Sequence, residues 1–423
     1  MRVIYLDNNA TTAVAPEVVE AMLPYLGEQY FNPSSMYDAA RGPAAALKDA
    51  RSTLARLLRC RPDEVLFTSC ATESNNTAII GATRARPQRR HIITSAVEHP
   101  AVLEVCKFLA REGYEVDFLP VQSNGTLDTA AFVRALRPGT TLLVSLMHAN
   151  NETGVLFPIG ELARIAKESD PQIVVHTDAT QTAGKLPLDL AGELKHVDLL
   201  SFSGHKLHAP KGIGALFVRR GTPIRPFLLG GHQEGSRRGG TENVPYIVGL
   251  ARALELAMAT QATDERHISA LRDRLERELA ARIPYLEVNG AGAPRLDNTL
   301  NVAVHFVEGE GMLYQLAARG ICASSGSACT SGSLEPSHVL RAMRVPFTAV
   351  HGSLRFSLSR YTTDEEVDAV ITALPEIVAS LRRLSPYWDE SAEAPRPEGE
   401  ALLRQAVEER RRQLVQPPDT TTN

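Results

Sequence analysis

Lys206 closes the segment VDLLSFSGHK (197–206), an apolar strand that runs into small and polar residues and delivers one amine at its end. A second such strand, in QIVVHTDATQ (172–181), ends on Asp178. A buried lysine amine forms a Schiff base with an aldehyde, and a carboxylate keeps a pyridinium nitrogen protonated. Together they are the least apparatus that turns pyridoxal phosphate into an electron sink. The pair points to amino-acid chemistry.

Other residues of the same kind fall near strand ends. TSCATESNN (68–76) precedes a helix, so the backbone of Ala71 and Thr72 offers free N–H groups to a phosphate. The same letters also make an ordinary N-cap through Thr72 or Ser74. Ser203 and His205, flanking Lys206, can complete a phosphate cup. Asp178 ends a strand whose apolar run is Ile173–Val175, so its charge is partly desolvated and needs a cation; a pyridinium nitrogen supplies one. Gln181, three positions on, can direct its amide to the ring's phenolic oxygen. His99, in EHP, opens a helix at a strand end and serves either as cap or as a ring-stacking, proton-relaying imidazole. Asn150 and Asn151 in HANNETG suit a ring oxygen or a substrate carboxylate, or a plain turn.

The loop SSGSACTSGS (324–333) surrounds Cys329 with glycine, alanine and hydroxyl residues. Cys106 and Cys322 sit among apolar neighbours, as structural cysteines do. Cys329 is placed where a thiolate that must reach a substrate and then an acceptor belongs. Ligation of iron or an iron–sulfur cluster by Cys329 is the competing reading. Arg355, in SLRFSLS, can grip an α-carboxylate through two parallel hydrogen bonds, or form a surface ion pair; Arg360 is the second choice. In the Gly-rich segment GGHQEGSRRGGTEN (230–243), Thr241 can reach a phosphate held by a neighbouring subunit.

The elements that must hold these residues alternate. Apolar strands are expected at 64–69, 90–97, 141–148, 173–178, 198–203 and 214–220, with helices such as 43–58 and 99–113 between them. This is the pattern of a mostly parallel sheet covered on both faces, with its site at the carboxyl ends of the strands. Thr68, His99, His148, Asp178 and Ser203 all lie at such ends. Composition shifts near residue 262, where a charged helix (264–283) leads into strands at 299–306 and 353–359. The expected division is an N-terminal segment (1–14) packing with the small domain, a large domain (15–261), a small α+β domain (262–390) carrying the cysteine loop, and a mobile tail (391–423) whose one helix candidate is 401–415.

With 423 residues, 43% hydrophobic and 22% charged, the chain can bury a large core. A formal charge of −4 without basic runs argues against nucleic acid and anionic lipid as partners. There is no signal-peptide pattern and no apolar run approaching the roughly 20 residues a membrane span needs. The five cysteines form neither a disulfide framework nor a CxxC pair, and a zinc site is a weak reading. A soluble, cytoplasmic protein is expected.

Taken in order, YLDNNATT, NPSS, TSCATESNN, EHPAV, NNETG, HTDATQ, SGHKLHAPKG, GGHQEGSRRGGTEN, SSGSACTSGSLEPSHVLRAM and RFSLSRYTT closely resemble the cysteine desulfurases of the class V aminotransferase family, from about residue 4 to 365. Cys70, the long cysteine loop and LSPYW (384–388) look most like the NifS branch, which serves nitrogenase cluster assembly. The resemblance implies fold type I and a homodimer that uses pyridoxal 5'-phosphate and L-cysteine and hands sulfur to an iron–sulfur scaffold or other acceptor. It implies that Lys206 carries the cofactor and Cys329 accepts the sulfur. Ala71, Thr72, Asn151, Gln181, Ser203, Gly204 and His205 then bind the cofactor, with Thr241 crossing the dimer interface. His99 stacks on the ring and Arg355 takes the substrate carboxylate. Tyr37 departs from the family's usual histidine, and the tail after about 391 has no counterpart. The alternatives are a selenocysteine lyase or small-molecule aminotransferase of the same family, a non-enzymatic iron–sulfur scaffold using Cys329, and a degenerate member that only docks partners.

Overall fold

Seven short strands assemble into one sheet. The computed structural model describes residues 3–325 and 336–415. After β1 (Ile4–Tyr5) come β2 (Val65–Thr68), β3 (His91–Ser95), β4 (Glu115–Leu119), β5 (Thr141–Met147), β6 (Val174–Asp178), β7 (Leu199–Ser203) and β8 (Gly214–Val218). The last seven pair in the order β2-β8-β7-β6-β5-β3-β4. From β4 through β7 all neighbours are parallel, whereas β8 is antiparallel to both β7 and β2. This is the α/β architecture with a mostly parallel sheet that the alternating pattern predicts, seven-stranded where that pattern marks six strands.

Side-chain alternation divides each strand between two cores. Val65 and Phe67 join one cluster with Val144, Leu146, Val175 and Leu200. Leu66 joins the other with Leu143, Val174 and Leu199, under Ala78, Ile79, Val102 and Leu109 of the helices Ala71–Ala85 and Pro100–Arg111. Both faces are dry, which is why these strands read as unbroken apolar runs. β4 escaped prediction because it is an edge strand, EVDFL, with Glu115 and Phe118 exposed.

A second core lies around an antiparallel sheet. β10 (Thr299–Val304) runs between β9 (Leu286–Val288) and β12 (Ser353–Ser357). Leu300, Val302, Leu354 and Phe356 pack there with Met312 and Leu316 of the helix Gly309–Ala318 and with Val370 and Leu374 of the helix Asp364–Arg382. Leu6 belongs to this cluster, and β1 pairs in parallel with β11 (Ile321–Cys322).

Residue 262, where composition shifts, lies inside a single 39-residue helix, Val244–Arg282. Its first half buries Ile247, Leu250 and Leu254 in the large core, and its second half buries Leu271, Leu275 and Leu279 in the small one. The charged stretch is therefore a span between two cores, not a break in the chain. Past it, Trp388–Asp389 pairs with Ala394–Pro395, and Trp388 lies under the Arg382 guanidinium, 4.3 Å from its ring centroid. The expected tail thus begins within a hairpin, and its helix starts at Pro397 rather than 401, proline being suited to a first helical turn. No helix among the described residues is long and apolar enough to cross a membrane.

Candidate active site

The ends of β5, β6 and β7 open on a cavity of about 300 Å³, walled by Met147, Asp178 and Ser203. Ala71, Thr72, His99, Asn151, Gln181, His205, Lys206 and Arg355 stand around it as well. Two predicted cofactor residues do not. The Gly204 N–H bonds the Ile213 carbonyl at 2.9 Å, and a Cβ on Gly204 would stand 2.8 Å from Ile213 Cγ2, so this glycine serves close packing. Thr241 is exposed and lines no part of its own chain's cavity. Cys329 lies outside the described residues.

Lys206 ends a short 3-10 turn that follows β7 directly. Its Nζ donates to the carbonyls of Asn9 at 2.6 Å and Ala10 at 2.7 Å. Asp178, 8% exposed, accepts from Asn75 Nδ2 at 2.7 Å and from the Thr180 N–H at 2.9 Å. These two donors offset part of the cost of burying a carboxylate, and a cation within the cavity would offset more. Asn75 and Asn9 were missed from sequence. Asn75 had a legible signal, since it is four residues from Ala71 and shares its helix face.

His99 is both things the sequence allowed. Its Nδ1 accepts from the Ala101 N–H at 3.1 Å, capping the helix Pro100–Arg111, while the ring lines the cavity. That cap fixes the tautomer: the neutral ring carries its proton on Nε2. Burial, opposed by Asp178 and reinforced by Lys206, lowers its pKa. His205 is pushed down to about 4 by burial and by Lys206. Both rings are neutral near pH 7.

Arg355 is 4% exposed, donating from Nη2 to Asp7 Oδ1 at 2.7 Å and from Nη1 to the Asn151 carbonyl at 3.0 Å. Its Nε is buried with no partner among the described residues. Arg360 instead pairs with Asp264 at 3.0 Å. Asn150 turns out to be a turn residue, its Oδ1 accepting from the N–H groups of Glu152 and Thr153. Thr68 bonds Ser74 Oγ at 2.7 Å and His148 bonds Thr182 Oγ1 at 3.1 Å, both outside the cavity wall.

The residues present fit pyridoxal phosphate. Asp178 offers a carboxylate for a ring nitrogen and Lys206 an amine for the aldehyde. The first turn of the helix Ala71–Ala85, whose N–H groups have no intrahelical acceptor, stands beside Ser203 and His205 as an anion cradle. Thr180 Oγ1, at the wall, is buried without a partner among the described residues, as a group that meets a ligand would be.

The family model described as Aminotransferase class-V matches residues 4–370. A cysteine desulfurase of Nostoc sp. is 54% identical over 392 residues, 93% of this chain and 97% of the relative. The cysteine desulfurase NifS of Azotobacter vinelandii is 54% identical over 386 residues, 91% of this chain and 95% of its own. A solved structure titled NifS-like protein superposes with a TM-score of 0.84 at 38% identity, covering 90% of this chain and 100% of that one.

Proposed function

Because the chain belongs to the class V aminotransferase family, we propose that it is a cysteine desulfurase that takes sulfur from L-cysteine, releases L-alanine and leaves a persulfide on Cys329. The observation that carries the reading is the meeting of Lys206, Asp178 and Arg355 at one cavity.

Pyridoxal phosphate, when bound, supplies an electron sink that makes the substrate's α-proton removable. Asp178 holds the ring nitrogen protonated, the Ala71–Thr72 turn with Ser203 and His205 takes the phosphate, Gln181 donates to the ring oxygen, and His99 covers the ring face. Thr241 reaches the phosphate of a second copy in a homodimer. Arg355, steered by Asp7, and Asn151 hold the carboxylate of L-cysteine. Lys206 Nζ removes the α-proton and returns protons to the substrate. The Cys329 thiolate attacks the substrate sulfur; the new S–S bond forms as the S–Cβ bond breaks, and the electron pair left on carbon is protonated to give alanine. His99 Nε2–H is a proton donor for that step. An acceptor thiol on an iron–sulfur scaffold then takes the sulfur. The name of the Azotobacter relative supports service to nitrogenase, in the cytoplasm.

Borohydride reduction followed by peptide mapping should place a pyridoxyl group on Lys206. Lys206→Ala should lose the visible band of the bound cofactor and all turnover, while Cys329→Ala should keep the band, bind cysteine and release no sulfide. Full desulfurase activity in Cys329→Ala would sink the nucleophile assignment.

A further inference from the structure

Behind Lys206 lies a second, smaller void of about 70 Å³, and Lys185 stands in its wall. The backbone there is tightly set. Gly184 has φ +76° and is wedged so that a Cβ would meet Ala257 at 3.0 Å and Leu207 at 3.1 Å. Lys185 N–H donates to the Thr182 carbonyl, and its own carbonyl accepts from Gln261 Nε2 at 3.0 Å. The side chain thus leaves a fixed turn, and its Nζ donates to Gln181 Oε1 at 3.3 Å.

Gln181 is 4% exposed, and its amide faces opposite demands at its two ends. Oε1 meets the Lys185 amine, a donor, while Nε2 donates to the Asn9 carbonyl, an acceptor only, at 3.1 Å. A flipped amide would set oxygen against the Asn9 carbonyl and N–H against the amine, which has no lone pair to accept it while protonated. With this orientation locked, Nε2 keeps its other N–H for the cavity that Gln181 lines. An amine is an expensive way to hold an amide here. Burial, with the positive charges of Lys206 and Arg355, pushes Lys185 down to about 7. Asp264, Glu265 and Asp297 are the carboxylates of the void it lines, with Arg360 and His208 alongside.

We propose that Lys185 is a positioning residue that locks the Gln181 amide with its N–H toward the ring oxygen of the cofactor. This rests on the reading of the site as a pyridoxal-phosphate site. An N–H held on that oxygen competes with the neighbouring proton the oxygen would otherwise accept, so losing it raises the pH at which the bound chromophore titrates.

The test is a pH titration of the visible absorbance of the holoenzyme. Gln181→Ala should raise the midpoint by about one pH unit, the size of one charge-assisted hydrogen bond. Lys185→Met should raise it similarly, and the double variant should titrate like Gln181→Ala alone. A Lys185→Met midpoint equal to wild type, or a further shift on top of Gln181→Ala, overturns the proposal. Should Lys185→Met fail to fold, Lys185→Arg, which keeps charge and donors, is expected to hold the wild-type midpoint; a shift as large as that of Gln181→Ala overturns it. A wild-type protein with no visible band would defeat the underlying site reading instead.

Discussion

Asp178 and Arg355 are charged groups made usable by neighbours that do no chemistry themselves. Asn75 donates to Asp178 Oδ2, and removing it leaves that oxygen without a donor among the described residues in a nearly closed site. Asn75→Ala should weaken cofactor retention by about tenfold, the consequence of one lost hydrogen bond to a charge; absorbance during dialysis reads it. Asp7 orients the Arg355 guanidinium. Asp7→Ala should therefore raise KM for cysteine by about tenfold while changing kcat much less, in steady-state kinetics. Lys206, Asp178, Ser203 and Arg355 were legible because residue type coincided with a strand or strand end. Asn9 was not, since it acts through a backbone carbonyl that any residue carries. The engagement of the Gly204 N–H with Ile213 was not legible either, because it is a tertiary fact.

Among elements, the Gly-rich loop after β8 depends most on others for its shape. Glu234, Gly235 and Ser236 are successive left-handed residues, at φ 49°, 64° and 62°, a backbone that two of the three side chains disfavour. The loop is pinned by Glu234, whose carboxylate takes Arg51 through both oxygens at 2.6 and 2.8 Å and the Phe67 N–H at 3.0 Å. Glu234→Ala should destabilise the protein by about 3 kcal/mol in chemical denaturation, because it strands a largely covered guanidinium and a strand N–H together. Sequence marked this loop by its glycines but could not reveal an anchor on a residue 183 positions away. The parallel strands were legible for the opposite reason: dry on both faces, they spell their burial in consecutive letters. β4 is wet on its outer edge, and the Val244–Arg282 helix passes from one core to the other mid-length, so the composition shift near residue 262 marks that passage and not the end of an element.

Over the whole molecule, buried titratable groups set opposing slopes with pH. The imidazole of His148 is pushed down to about 4 by burial, and His205 likewise with the help of Lys206. The unfolded chain binds their protons below about 6.5, so their contribution is full above that pH and is lost as pH falls toward 4. Glu98 works the other way. Burial pushes its carboxyl up to about 8, against the bonds from the Met147 N–H and Ser95 Oγ, and its Oε2 is buried with no partner among the described residues. The unfolded glutamate ionises near about 4.3, so the stability that Glu98 contributes is full below that value and is lost as pH rises through about 8. Glu98→Gln is nearly isosteric with the protonated acid and cannot ionise. Whatever fixed offset its extra N–H brings, the difference in unfolding free energy between variant and wild type should shift in the variant's favour as pH rises. The shift should total a few kcal/mol between pH 5 and 8 and level off above that. Denaturation of both holoenzymes across that range reads the slope directly. Parallel curves would mean that Glu98 is ionised in the folded protein, with a cation supplied to Oε2.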